Sequence, residues 1–163
     1  MPAGVVLVAA VSVACSPAAP TPPPIGEPGT PARPREVTIV AREYTFSPSV
    51  VRLVPGETVL LHVVNGGLEL HEAVLGDAVV QTTWEHAWRA AVASPLPPGR
   101  TPAPSVPPDT GGLRIVVASG QRADALYTVP AGGDLVVGCH VPGHWERGMR
   151  VPVELVRPVG AGG

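Results

Sequence analysis

Three residue types that bind soft metal ions stand together near the C-terminal end of the sequence, in the segment GCHVPGHWERGM (138–149). Cys139, His144 and Met149 are spaced Cys-x4-His-x4-Met, in a chain that has only two Cys, five His and two Met. Positions five apart on an α-helix face different directions, and Pro142 also opposes a helix. We therefore expect a loop between two strands to bring these side chains together.

A thiolate, an imidazole and a thioether form a donor set that leans towards soft metals. One Cys and two His with a weak axial Met are the ligands of blue-copper electron-transfer sites. The sulfur donors favour Cu(I), while imidazoles keep Cu(II) acceptable. Zinc also accepts Cys and His, but its structural sites are built from Cys and His without a thioether. A nucleophilic Cys–His pair is a weaker interpretation, because no orienting Asn or Asp accompanies it.

A second histidine must come from elsewhere in the chain. His140 directly follows Cys139, so in a strand its side chain would point to the opposite face. His62 lies in the middle of a predicted strand, where a structural role is simpler, and His86 lies in an unusual insert. His71 follows the strand of His62 after one Gly-Gly turn, and it is the preferred candidate.

Short Val-rich segments separated by Gly and Pro turns predict an all-β domain. The 22 Pro and 19 Gly residues argue against a helix bundle. Seven or eight strands in a sandwich or barrel are expected. They are EVTIVAR, the two strands of SVVRLVPGETVLLHVVNGG, LELHEAVLG, LRIVVAS, ADALYTV, DLVVGC and MRVPVELV.

One region, residues 80–112, interrupts this pattern within the domain predicted at 36–157. Residues 80–93 lack Gly and Pro and can form a short helix, on which charged side chains such as Glu85 are expected to face solvent. Residues 94–112 carry seven Pro and predict an irregular loop. Long loops inside compact domains are uncommon and often functional.

The first fifteen residues, MPAGVVLVAAVSVAC, form an apolar run that is too short to span a bilayer. The run is typical of an export signal, and its end resembles a bacterial lipoprotein processing site, so we expect a lipidated Cys15 at a membrane surface. Residues 16–35 contain eight Pro and predict a semi-rigid spacer. A flexible tail is predicted at 158–163.

Two segments, LHEAVLGD and YTVPAGGDLVVGCHVPGHWERGMRVPVELV, resemble the cupredoxin family of blue-copper proteins, particularly bacterial exported plastocyanin- and azurin-like domains. The resemblance covers residues 36–157 and implies a Greek-key β-sandwich of about eight strands with one copper ion at one end. In that family a His opens a His-Glu-aromatic-Val strand, and a Cys-x-x-Pro-Gly-His-x-x-x-Gly-Met loop supplies three ligands. Carried over by position, the ligands are His71, Cys139, His144 and Met149, with His144 nearest the surface.

The chain departs from the family pattern in three respects. Ala73 stands where an aromatic residue is common. Glu72 and His140 occupy positions beside ligands where some relatives have other hydrogen-bonding groups. The insert at 80–112 has no counterpart that we can align.

We therefore predict an exported mononuclear blue-copper protein that carries single electrons between redox proteins such as a cytochrome or a terminal oxidase. The apolar residues Val141, Pro142 and Trp145 are expected to form a docking rim. No enzymatic activity and no small-molecule substrate are expected, and a net charge of −2 without a basic cluster argues against nucleic acid. Copper delivery or homeostasis is the alternative function, and a metal-free β-sandwich interaction module is a third.

Overall fold

The structure is a computed structural model that describes residues 25–159. The predicted export signal with Cys15, residues 16–24 of the predicted spacer and residues 160–163 of the predicted tail lie outside these residues. No helix within 25–159 is long and apolar enough to cross a membrane. The elements are β1 (Arg35–Arg42), β2 (Thr45–Ser47), β3 (Val51–Leu53), β4 (Thr58–Asn65), β5 (His71–Gly76), α1 (Ala78–Ala93), β6 (Leu113–Val117), β7 (Arg122–Thr128), β8 (Leu135–Gly138) and β9 (Arg150–Leu155).

The strands form two sheets that pack face to face, which confirms the predicted all-β cupredoxin-like sandwich with one short helix. One sheet has four strands in the order β2-β1-β4-β7, and the other has five in the order β3-β9-β8-β5-β6. β1 runs parallel to β4 and β3 parallel to β9, whereas the other neighbours are antiparallel. β8 and β9 are neighbours, so the segment that joins them lies at one end of the sandwich.

Strand β4 shows how the sequence alternation creates the core. Val59, Leu61 and Val63 are at most 2% exposed and point between the sheets, because side chains along a strand alternate between its two faces. The intervening His62 consequently points away from the core, towards the outer face of the four-stranded sheet.

The part of the chain described by the structure has nine strands, where the sequence indicates seven or eight. The unexpected strand is β2, a three-residue segment that pairs with the end of β1 through Ala41 and Phe46. Three residues are too few to show a period-two pattern, so this strand is defined by its pairing alone.

Helix α1 begins at Ala78, close to the predicted start, and ends at Ala93. Asp77 caps it by accepting hydrogen bonds from the backbone N–H groups of Val79 and Val80 at 3.0 Å. Residues 95–112 form neither helix nor strand. The side chain of Gln81 donates to the backbone oxygens of Val74 and Val136, which fixes the helix on β5 and β8.

Candidate metal centre

The segment between β8 and β9 brings Cys139, His144 and Met149 to one place through its backbone. The N–H of Cys139 donates to the carbonyl oxygen of Met149 (3.0 Å), and the N–H of Met149 donates to the carbonyl oxygen of His144 (3.0 Å). These two bonds close the segment into a loop, called the metal loop below. Residues five apart in sequence are thus held together without a helix.

Two glycines make the tight turns of the metal loop possible. The N–H of His144 donates to the Val141 oxygen at 2.9 Å, with Pro142 and Gly143 at the corner positions. Gly143 has a φ of 84° and Gly148 a φ of 83°. Side chains disfavour such positive values, and a turn with Pro followed by Gly at its corner is a common solution.

His71 reaches the metal loop from the neighbouring strand β5, of which it is the first residue. Its Nδ1 lies 3.2 Å from Nδ1 of His144, which in turn lies 3.3 Å from Sγ of Cys139. The donor atoms of these three residues all lie within 4.8 Å of one another. Such separations suit a shared ion, since metal bonds to His and Cys are about 2.0–2.3 Å long.

Met149 is also at this end of the core, with no exposed surface. It packs in the same buried cluster as Cys139. Its position is set by the backbone bonds that it makes with Cys139 and His144. The structure therefore places all four sequence-predicted residues at the metal loop, and groups the donor atoms of three of them directly.

Burial dominates the protonation chemistry of the site. Burial raises the pKa of the Cys139 thiol to about 12, although the backbone N–H of Glu72 donates to Sγ and opposes the shift. Burial also lowers the pKa of His71, helped by the nearby His144. Without a metal the site consequently favours a neutral thiol and a neutral His71.

Each histidine of the site contacts a carboxylate through its other nitrogen. Nε2 of His71 lies 3.3 Å from Oε1 of Glu43, and Nε2 of His144 lies 2.8 Å from Oε2 of Glu69. Carboxylates in this position fix which nitrogen carries the proton and orient the ring of a metal-binding His. Both Nδ1 atoms are thereby left facing the shared donor set.

The two carboxylates are themselves held in the ionised form. Hydrogen bonds from backbone groups, first that of Glu69, lower the pKa of Glu43 to about 2. The bond from His144, followed by that from Tyr44, lowers the pKa of Glu69. The surroundings of the histidines thus carry negative charge that favours a bound cation.

A polar network lies behind Cys139 and connects the metal loop to helix α1. The buried Glu72 accepts from Trp88 Nε1 (2.9 Å), from the guanidinium of Arg114 (2.7 Å) and from the backbone N–H of His140 (3.2 Å). These three bonds pair a carboxylate that would otherwise be costly to bury. The network fixes the start of the metal loop next to Cys139.

The other histidines lie away from the donor set. His140 is buried, with Nδ1 2.9 Å from Oε2 of Glu85 and Nε2 2.8 Å from Oε1 of Gln81. Glu85 therefore does not simply face solvent, as its sequence context suggested. Nδ1 of His62 lies 2.8 Å from Asp124 on the outer face of the other sheet, and His86 is exposed on α1.

His144 is the most exposed of the four expected ligands, yet it is almost completely covered. His144 is only 2% exposed and His71 is fully buried. The ring of Tyr44 contacts His144 edge-on, with centroids 5.0 Å apart. Sequence reasoning missed the roles of Tyr44, Glu43 and Glu69, because they come from the β1–β2 turn and from the loop before β5 and share no local motif with the ligands.

Comparison with known proteins supports the fold and the family. No protein-family profile matches the chain. Copper-resistant cuproprotein CopI of Rubrivivax gelatinosus is 30% identical over 128 residues, covering 77% of this chain and 70% of that protein.

Two solved auracyanin structures share the fold. The reduced auracyanin of Roseiflexus castenholzii is 20% identical with a TM-score of 0.59, over 75% of this chain and 97% of its own. Auracyanin B is 22% identical with a TM-score of 0.62, over 82% of this chain and 98% of its own. Together with the relative at 30% identity, these likenesses lead to one conclusion: the chain belongs to the cupredoxin family of copper proteins.

Proposed function

We propose that the protein is an exported, mononuclear blue-copper protein that carries single electrons between redox partners. The observation that carries this proposal is the buried group of His71, Cys139 and His144, whose donor atoms lie within 4.8 Å of one another. One copper ion is the cofactor that this donor set suits, because thiolate and imidazole together accept both Cu(I) and Cu(II). A copper ion held here would accept and release one electron.

The protein's residues have distinct roles in this proposal. The Cys139 thiolate would form the strong bond to the ion, His71 and His144 would bind it through Nδ1, and Met149 would be a weak fourth ligand. The backbone bonds of the metal loop, which involve protein groups alone, hold these residues together. A site that is organised in advance needs little rearrangement when its charge changes, which suits electron transfer.

The partner in this proposal is another redox protein, such as a cytochrome or a terminal oxidase. Val141 and Pro142 of the metal loop line one surface depression with Leu70 and Val116, and these four residues are called the apolar face below. Export and attachment to a membrane surface through a lipidated Cys15 are part of the proposal, and they are supported by the sequence of residues 1–15 alone. No enzymatic step is proposed.

The direct test is addition of Cu(II) to the purified protein. We expect an intense visible thiolate-to-copper charge-transfer band with one copper ion per chain, lost in Cys139→Ser and in His71→Gln. His62→Gln is the matched control, because His62 is also a strand histidine but contacts Asp124 instead of the site. A colourless protein, or a band that disappears only with His62→Gln, would contradict the proposed ligands.

Copper delivery or homeostasis is a second candidate, favoured by the relative at 30% identity that is named as a copper-resistant cuproprotein. The ligands would be the same in both functions. Repeated oxidation and reduction separates the two, with the copper content of the protein measured after each cycle in the presence of an acceptor chelator. Retained copper supports the electron carrier, whereas loss upon each reduction supports delivery.

A further inference from the structure

The outer edge of the His144 ring is closed off from solvent by two side chains. Its Nε2 lies 2.8 Å from Oε2 of Glu69. The ring of Tyr44 stands edge-on against it at 5.0 Å between centroids. The side chain of His144 is consequently only 3% exposed, although that of Glu69 is 49% exposed.

These two side chains contact each other and the metal loop. The hydroxyl of Tyr44 donates to Oε1 of Glu69 at 3.1 Å. The guanidinium of Arg147 lies over the Tyr44 ring, 4.2 Å from its centroid, a favourable cation–π geometry. Tyr44, Glu69 and Arg147, called the Tyr44 cover below, therefore join three separate segments over one imidazole.

The segment that carries Glu69 is also fixed by hydrogen bonds that do not involve His144. Oε1 of Glu43 accepts from the backbone N–H of Glu69 at 2.8 Å. The side chain of Asn65 donates to the backbone oxygens of Glu69 (2.7 Å) and Val117 (2.9 Å). The cover is thus held by bonds within the protein itself.

The donor atoms lie beneath this cover. Sγ of Cys139 is 3.3 Å from Nδ1 of His144, and Cys139 has no exposed surface. Because Nε2–H of His144 donates a hydrogen bond to Glu69, Nδ1 of the neutral ring keeps a lone pair directed at the donor set. Movement of the His144 ring away from the site requires the bonds of the cover to break.

We infer that the Tyr44 cover holds His144 in its metal-facing orientation and limits the rate at which metal ions and small reagents reach or leave the donor set. The inference rests on the proposed copper site, and it extends that proposal from ligands to the control of exchange. Tyr44 and Glu69 are positioning residues in this arrangement, because they act on the site through His144.

The first test is the rate of copper loss from the reduced protein to an excess of a Cu(I) chelator. We expect Tyr44→Ala to release copper about 10- to 100-fold faster than the unmodified protein, the usual cost of losing a group that orients a ligand. Glu69→Gln keeps the shape of the side chain but removes its negative charge, so it should increase the rate of copper loss less than Tyr44→Ala does. Glu146→Gln is the control, since Glu146 lies on the metal loop and its recorded partner is Arg89.

The second test needs no copper. We expect a small thiol reagent to label Cys139 of the copper-free protein faster in Tyr44→Ala and in Glu69→Gln than in Glu146→Gln. Peptide mass spectrometry separates labelling of Cys139 from that of Cys15. If Tyr44→Ala unfolds at a lower temperature, Tyr44→Phe gives the comparison instead, because it keeps the ring and loses only the hydroxyl bond.

The outcomes separate the two proposals. Equal rates of copper loss and equal rates of labelling in the unmodified protein, Tyr44→Ala, Glu69→Gln and Glu146→Gln would contradict the proposed role of the Tyr44 cover. The proposed copper site would not be affected. Faster labelling in a protein that takes up no copper would overturn the proposed function while supporting the cover. Faster copper loss together with faster labelling supports both.

Discussion

At the scale of single residues, burial sets the chemistry of Cys139. The thiol has no exposed surface, and its pKa of about 12 lies well above that of a free Cys. His71 and His62 show that alternation along a strand decides what a histidine contacts. Both are strand histidines, but alternation along the strands turns one towards the donor set and the other towards Asp124 on the outer face.

This burial predicts that copper binding depends on pH. The empty protein holds a neutral thiol below pH 12, whereas the bound form needs the thiolate, so binding releases one proton. Apparent Cu(I) affinity should rise about tenfold for each pH unit between pH 7 and 9, because one proton leaves the thiol for each ion bound. Competition with a chelator of known pH-dependent affinity measures this slope. An affinity that does not change over this range would mean that the empty site already holds a thiolate.

At the scale of elements, helix α1 is part of the scaffold of the site. It contributes Gln81 and Glu85 to the buried His140 and Trp88 to the buried Glu72. The insert that lacks a counterpart in the family pattern thus supports the strand that leads to Cys139. The close approach of α1 to β8 depends on Gly138. An added Cβ at this position would lie 2.6 Å from Oε1 of Gln81 and 2.6 Å from the ring of Trp145.

Gly138→Ala should therefore lower the free energy of unfolding by about 1–3 kcal/mol, the usual cost of overpacking. Gly132→Ala is the matched control, because a Cβ there meets no atom within 4 Å and Gly132 has no positive φ. Its effect should stay within about 0.5 kcal/mol. Urea unfolding of the copper-free proteins measures both changes. Equal stabilities would show that α1 can move away from β8 at no cost.

At the scale of the whole molecule, the metal loop and the apolar face lie at the same end of the sandwich. Leu70 is 41% and Val116 is 42% exposed, beside the exposed Pro142. Trp145, the third residue of the predicted rim, instead stacks on His140 with centroids 4.6 Å apart. Docking through the apolar face would bring a redox partner close to the donor set without opening the Tyr44 cover.

Pro142→Asp should slow electron exchange with a partner at least about fivefold, because a charge in the centre of an apolar contact costs more than about 1 kcal/mol. The copper spectrum should not change. Leu126→Asp is the control, since Leu126 is 59% exposed on the other sheet. Stopped-flow kinetics with a soluble cytochrome measures both variants. A changed spectrum would show that Pro142 shapes the site rather than the docking surface.

The sequence by itself determined what depends on local pattern. Period-two alternation predicted the strands, the Gly- and Pro-free stretch predicted α1, and the Cys-x4-His-x4-Met spacing with Pro142 and Gly143 indicated a metal loop. These features follow from backbone geometry and side-chain chemistry within a few residues of one another. The three-residue strand β2 was too short to show such a pattern.

Only the tertiary structure decided which distant groups surround the donor set. Glu43 and Glu69 contact histidines 28 and 75 positions away, and Tyr44 bonds to Glu69, 25 positions away. Glu85 looked solvent-facing in the sequence, yet it contacts a buried histidine 55 positions away. Contacts of this kind are fixed by sheet order and by the close approach of a helix to a glycine, and neither leaves a periodic signal in the chain. The donor types follow from the sequence, whereas their burial and their cover follow from the fold.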